Sequence, residues 1–226
     1  MQNLLIAALF FVGTHVGISS TSLRGQLIER VGTGAYRGLY SLVSLVAVVW
    51  LITAFRHAPY VPLPYGNAFL RHLPHLLLLP ALLLAVAALS GPNPTAVGQD
   101  PDPDTPEPAR GMLRVTRHPL MWGIALWAFA HLAANAEVAA LLFFGAFLVL
   151  SLLGAWLQEQ RRSRENPPGW GVFLQATSFV PFAAIWEGRN RFVWREIGWG
   201  RLAVALGLYV LLAYLHPWLF GVAVVG

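Results

Sequence analysis

Apolar residues gather into long unbroken runs along this chain rather than into one-sided stripes. Six runs, at about 3–20, 36–55, 74–91, 119–136, 138–156 and 201–222, are long enough to cross ~30 Å of hydrocarbon as helices. Their interiors hold no Arg, Asp or Glu. Within lipid a helix satisfies its own backbone polar groups, so the pattern predicts an all-α, polytopic membrane helix bundle of about six transmembrane helices in a single domain over residues 1–226. The runs at 119–136 and 138–156 are joined by little more than Asn135, Ala136 and Glu137, which predicts a tight helical hairpin.

The segments between the runs differ in character. Residues 21–35 are too polar to span and read as an interfacial helix or loop. Residues 92–108 alternate Pro with Asp100, Asp102, Asp104 and Glu107, the pattern of an extended, solvated loop. Their Asp-x-Asp-x-Asp spacing invites a calcium reading, but Thr105 stands where an EF-hand needs Gly and Gly111 where it needs Glu. Residues 157–200 carry Trp170, Trp186, Trp194 and Trp199 among arginines, which suits partial burial at the headgroup boundary. Pro167 and Pro168 break any continuous helix there.

Composition agrees with a lipid solvent. The chain is 57% hydrophobic and 11% charged, against roughly 25% charged in soluble domains. That shortage excludes soluble enzyme folds, nucleic-acid modules and disordered tails. The basic groups are all arginine, and they mark topology rather than a phosphate-binding face. Thirteen lie in loops that alternate onto one side, and only Arg56 and Arg71 lie on the other. The positive-inside rule then predicts a multi-pass protein of the bacterial inner membrane with both termini periplasmic. Met1–Ser20 has no basic start and no A-x-A ending, so it reads as a first span rather than a cleaved signal. The absence of cysteine excludes disulfides, Fe–S clusters and thiolate ligands.

Seven histidines remain for metal or proton chemistry. His57, His72 and His75 lie in or beside the loop 56–75, His118 at the start of the fourth span, and His216 along the sixth, before Pro217. His15 and His131 are deeper. Each lies about 12 residues into its span, or ~18 Å from its own face at 1.5 Å per residue. Since the two spans start from opposite faces, the imidazoles come within several Å of each other in depth. Two neutral imidazoles at one level on two helices are what a bis-histidine haem requires, and Gly13 and Gly17 beside His15 offer small residues for the close approach of a ring. Spacing alone leaves a second reading open, in which each histidine hydrogen-bonds a neighbouring helix. His216 is a third-ranked ligand.

The stretch Arg114-Val-Thr-Arg-His-Pro-Leu-Met-Trp-Gly123, followed by Leu126-Trp-Ala-Phe-Ala-His-Leu-Ala-Ala-Asn135, resembles the central signature of the NnrU family of integral membrane proteins. Gly13-Thr-His15, Tyr36 to Ser44, Ala176 to Ile185 with Gly188 and Arg189, and Tyr214 to Gly221 fit the same family in order along the chain. The resemblance implies either a role in nitric oxide and nitrite metabolism in denitrification or, as in the related plant 15-cis-zeta-carotene isomerases, haem-b-dependent cis–trans isomerisation of an apolar substrate such as a carotene. It also implies a histidine pattern at His15, His118 and His131, with His15 and His131 as the axial pair and metal ligands. Arg117 and His118 would then serve the cofactor through its propionates.

Arg117-His118-Pro119 further resembles the cofactor loop of the isoprenylcysteine methyltransferase superfamily, whose S-adenosylmethionine site is completed by a later stretch. Here that stretch runs from Glu159 through Phe173 to Val180-Pro181. Gln160, Phe173 and Thr177 depart from its usual acid and tyrosines, which implies shared architecture more than retained methyl transfer. Arg117 and His118 also suit plain anchors at the headgroups. Three classes therefore stand: a haem-b protein with isomerase-like chemistry, a non-enzymatic assembly or transport module of nitrogen-oxide respiration, and a methyltransferase-like enzyme. No acid or Arg embedded in a span marks an ion path, which argues against a proton-coupled transporter.

Overall fold

Apolar runs with no water to hydrate their backbones close their hydrogen bonds locally, and in the computed structural model, which describes residues 1–65, 68–96, 98–105, 107–222 and 224, the regular elements are helices. The helices are α1 (Gln2–Ser19), α2 (Ser22–Val31), α3 (Thr33–Arg56), α4 (Ala68–Leu89), α5 (Pro119–Ala134), α6 (Val138–Glu165), α7 (Trp170–Ala176), α8 (Ala183–Trp186), α9 (Trp194–Ile197) and α10 (Trp199–Phe220), with a 3-10 turn at Gly111–Arg114. An isolated bridge between Pro62 and Glu137 is the β pairing among these residues.

Five helices, α1, α3, α4, α6 and α10, are long and apolar enough to cross a membrane. The chain is a polytopic helical membrane protein. The expected fourth span, 119–136, is shorter than its sequence suggests: α5 has 16 residues, or ~24 Å at 1.5 Å per residue. Its ends are set by chemistry. Pro119 opens it, where a missing N–H costs nothing. Asn135 closes it, donating both its backbone N–H (3.0 Å) and its side-chain amide (2.8 Å) to the His131 carbonyl.

The polar segments also resolve into local rules. Residues 21–35 supply α2, whose N-cap Thr21 accepts from the Leu23 N–H and donates its hydroxyl to the Gly17 carbonyl (2.6 Å). Gly32, at φ 81°, breaks the path between α2 and α3 in a conformation glycine adopts without strain. The last long apolar helix before the prolines, α6, continues past residue 156 to Glu165 and stops at Asn166 (φ 42°), immediately before Pro167 and Pro168.

The chain divides into two compact units, Met1–Pro74 with Ile124–Arg161, and His75–Gly123 with Arg162–Gly226. In the first, Leu4, Ala7 and Phe11 of α1, Ala47 and Leu51 of α3, Ala128 of α5, and Ala140, Phe143 and Phe144 of α6 form one buried core. The alanines let helix backbones approach, as small residues do in membranes, and the aromatic rings fill the remaining space. Trp50 of α3 donates to Asn3 Oδ1 of α1 (3.0 Å). A strap clamps the α5–α6 turn: the Leu63 N–H donates to the Ala136 carbonyl (2.8 Å), and the Val138 N–H to the Val61 carbonyl (2.9 Å).

In the second unit Trp170 and Phe173 of α7 pack on Leu113. The loop expected to be solvated throughout is tied down here. Arg162 lies over the Trp170 ring (5.4 Å), pairs with Asp100 (2.5 Å) and donates to the carbonyls of Pro94 (3.0 Å) and Gln99 (2.6 Å). Asp100, Asp102, Asp104 and Glu107 all remain exposed. An arginine fork that finds three acceptors at once orders a Pro-rich stretch that composition alone reads as loose.

Candidate functional site

His15 and His131 both belong to the first unit. On each helix the imidazole Nδ1 donates to the carbonyl four residues earlier, His15 to Phe11 (2.7 Å) and His131 to Trp127 (2.8 Å). A carbonyl only accepts, so both rings carry their proton on Nδ1 and a lone pair on Nε2. This is the tautomer and orientation that metal-ligating histidines have. Helical side chains lean toward their own N-terminus. Since α1 and the next-but-one partner α5 are both contacted by α6, the two rings meet a shared layer of aromatics. His15 contacts Phe11 (ring centroids 4.7 Å), Phe11 contacts Phe147 (4.9 Å), Phe147 contacts Trp127 (5.3 Å), and Trp127 contacts His131 (5.2 Å). Phe144 stacks on His131 at 4.8 Å.

The donor set suits haem iron: two neutral imidazoles, oriented by backbone carbonyls, in an apolar surround. Among the described residues no group of three or more His, Asp or Glu gathers as for a bare metal ion, whereas a bis-histidine haem takes two protein ligands. Phe11, Phe147 and Trp127 link the two imidazoles through one chain of ring contacts. The expectation for Gly13 and Gly17 does not hold. Each lies two residues from His15, a rotation of about 200°. They stand on the opposite face of α1, exposed, and open no path to the imidazole.

The other histidines have separate settings. His57 repeats the i−4 contact, to Thr53 (2.8 Å), but is exposed; what sets His15 and His131 apart from it is their aromatic surround. His75 of α4 meets the Tyr209 hydroxyl of α10 at 3.2 Å. His216 Nδ1 donates to the Val222 carbonyl (2.7 Å) and so caps the end of α10. His118 and His216 belong to the second unit.

Arg117 and His118 are buried, at 6% and 1% exposure. The loop that carries them is laced to residues 174–182. Arg117 N–H donates to the Ser178 carbonyl (2.9 Å), Phe182 N–H to Val115 (2.7 Å), and the Thr116 hydroxyl to Phe179 (2.9 Å). The Arg117 guanidinium donates to Thr177 (2.8 Å) and Leu174 (3.2 Å) carbonyls at the C-terminal end of α7. Arg189 donates to the same Thr177 carbonyl and to Gln175, both at 2.6 Å. Two cations thus sit where the α7 dipole is negative. Of the later stretch in the methyltransferase resemblance, only residues 174–181 lie against this loop within the second unit, and here Arg117 serves the backbone.

Nearby, Glu196 takes two hydrogen bonds from Arg114, Nε to Oε2 (2.8 Å) and Nη2 to Oε1 (2.9 Å), and one from the Gly111 N–H (2.7 Å). The Arg114 hydrogen bond holds the Glu196 carboxyl below its ordinary value, and the same bond holds the Arg114 guanidinium above its own. The sequence does not show that Arg114 meets Glu196, nor that Tyr36, Tyr40, Arg24, Arg161 and Phe147 gather at the His15 end of the first unit. The i, i+4 spacing of Tyr36 and Tyr40 puts them on one face of α3, but nothing in the sequence shows that this face meets α1.

The profile of the NnrU protein family matches residues 3–224. The chain is similar to the chloroplastic 15-cis-zeta-carotene isomerase of Zea mays, 27% identical over 201 residues, 83% of this chain and 51% of that protein. It is also similar to the chloroplastic 15-cis-zeta-carotene isomerase of Arabidopsis thaliana, 38% identical over 81 residues, 35% of this chain and 22% of that protein. The matched stretch thus spans about half the length of the maize relative or less. No solved structure matches. Since the family profile covers nearly every residue from the first helix to the last, this chain belongs to the NnrU family.

Proposed function

We propose that this protein is a haem-b membrane protein with isomerase-like redox chemistry on an apolar small molecule such as a carotene. The observation that carries the reading is the matched pair His15 and His131, each with Nδ1–H held by a backbone carbonyl and Nε2 left as the basic atom, in one aromatic core. The similarity to the carotene isomerases supports the substrate class.

When bound, haem supplies reversible redox and ligand chemistry at its iron. The chain supplies the rest. The Phe11 and Trp127 carbonyls fix the tautomer and orientation of the two rings. Phe144 holds the His131 ring by stacking. The alanine and phenylalanine core excludes water, so a long apolar substrate enters without desolvating any charge. His15 and His131 would hold the haem, and Phe11, Phe147 and Trp127 would give it apolar neighbours. The arginine-rich loops are assigned to the cytoplasmic side of a bacterial inner membrane, with both termini periplasmic.

Absorbance spectra of the detergent-purified protein, oxidised and dithionite-reduced, test the reading beside His15→Ala and His131→Ala. A Soret band with sharp reduced α and β bands, altered by either substitution, is expected. A colourless wild type after haem-supplemented expression, or a band indifferent to both substitutions, overturns it. A periplasmic reporter enzyme fused to the C-terminus tests the orientation; an inactive fusion overturns that assignment.

A further inference from the structure

Beyond His15, toward the end of α1, the first unit gathers groups of a different kind. The Tyr40 ring of α3 meets His15 edge-on at 5.8 Å, and Tyr36, one turn earlier, stacks on Tyr40 at 5.9 Å. The Arg24 guanidinium of α2 lies over the Tyr36 ring at 5.9 Å. Arg161, from the end of α6, donates to the Ser19 carbonyl (3.4 Å), one turn past His15. Both guanidiniums lie within electrostatic reach of the Tyr36 hydroxyl. Tyr36 is 7% exposed, and Arg24 and Arg161 are half-buried. Four helices therefore bring two arginines and two phenols to one end of the core, beside one of the two candidate ligands.

We propose that Arg24 and Arg161, with the hydroxyls of Tyr36 and Tyr40, form a carboxylate-binding rim that takes the propionate edge of a macrocycle held by His15. The inference rests on the haem reading above. A macrocycle bearing two carboxylates cannot leave them in an alanine and phenylalanine core, where an unpaired charge is prohibitive. One edge must therefore reach donors. Arginine suits carboxylates through its planar fork, and the phenols add neutral donors. Arg117, the arginine expected from sequence to do this, is committed to the carbonyls of α7.

The test is a titration of haem-free protein, purified in detergent, with haem b and with haem b dimethyl ester, followed by growth of the Soret band. The ester has the same iron and ring but no carboxylates. The wild type should bind haem about tenfold or more tighter than the ester. The doubly substituted Arg24→Gln, Arg161→Gln protein should bind haem no tighter than the ester, with ester affinity unchanged. Equal wild-type affinity for the two ligands overturns the rim while leaving the haem reading in place, and needs no variant to fold. A preference that survives the double substitution also overturns it. Binding of neither ligand by the wild type sinks the haem reading itself, and the rim with it.

Discussion

The Cβ that Gly123 lacks would stand 2.8 Å from the carbonyl oxygen of Ala81, and 3.3 Å from the Ala85 nitrogen. The start of α5 thus passes α4 with backbone against backbone, at a separation that any side chain would widen. Gly123 closes the stretch from Arg114 that carries the family signature, and its role there is close approach rather than turn geometry.

Gly123→Ala should therefore force the two helices apart. Overpacking of this kind costs about 1–3 kcal/mol, read as a lower thermal midpoint in detergent. Gly145→Ala is the control, because a Cβ there meets nothing within 4 Å. Equal midpoints for the two variants would show that the α4–α5 contact yields without cost.

The Arg114–Glu196 pair makes stability depend on pH with a defined sign. The Glu196 carboxyl is held below its ordinary value by Arg114. Its contribution is complete above the unfolded-state value, ~4.3, and is lost as pH falls through the lower folded value. Both side chains are shielded, at 8% and 18% exposure. Glu196→Gln should cost about 1.5–3 kcal/mol at neutral pH, and the gap from wild type should close on acidification. Midpoints measured between pH 7 and pH 3 check this; a gap that widens in acid contradicts it.

Histidines outside the aromatic core should not matter to a haem spectrum. His216→Ala removes a cap on the Val222 carbonyl, and His118→Ala a buried ring against Phe179 (5.5 Å). Both variants should keep the wild-type Soret and reduced bands when normalised to folded protein. A band lost in either one reassigns an axial ligand.

Arg117→Lys tests the clamp on α7. Lysine keeps the charge but lacks the planar fork that reaches Thr177 and Leu174 together. The expected loss is about 1–2 kcal/mol, with faster proteolysis around residues 174–182. Cleavage no faster than wild type would mean that Arg189, on the same Thr177 carbonyl, suffices alone.

Much of the fold was legible because lipid imposes a strong rule: a long run without charge must be a helix. That rule located α1, α3, α4, α6 and α10, and Pro167-Pro168 located the end of α6. It overextended α5, because the apolar run past Ala134 hides a stop made by Asn135 on the His131 carbonyl. Composition marked the Pro-Asp loop as solvated, and its acids are exposed, but it gave no sign of the tether to Arg162, a residue far along the chain.

The site divides in the same way. From the sequence alone came the membrane class, the family likeness and the choice of His15 and His131, because an imidazole inside an apolar run is conspicuous wherever its helix packs. Tertiary structure decided what surrounds them. It joined the two rings through Phe11, Phe147 and Trp127, turned Gly13 and Gly17 away, and set Tyr40, Tyr36, Arg24 and Arg161 at the His15 end. The physical reason is that hydropathy reports only how deep a residue lies. Which face of one helix meets which face of another depends on side-chain packing between segments distant in sequence, and in lipid no solvent contrast encodes that choice.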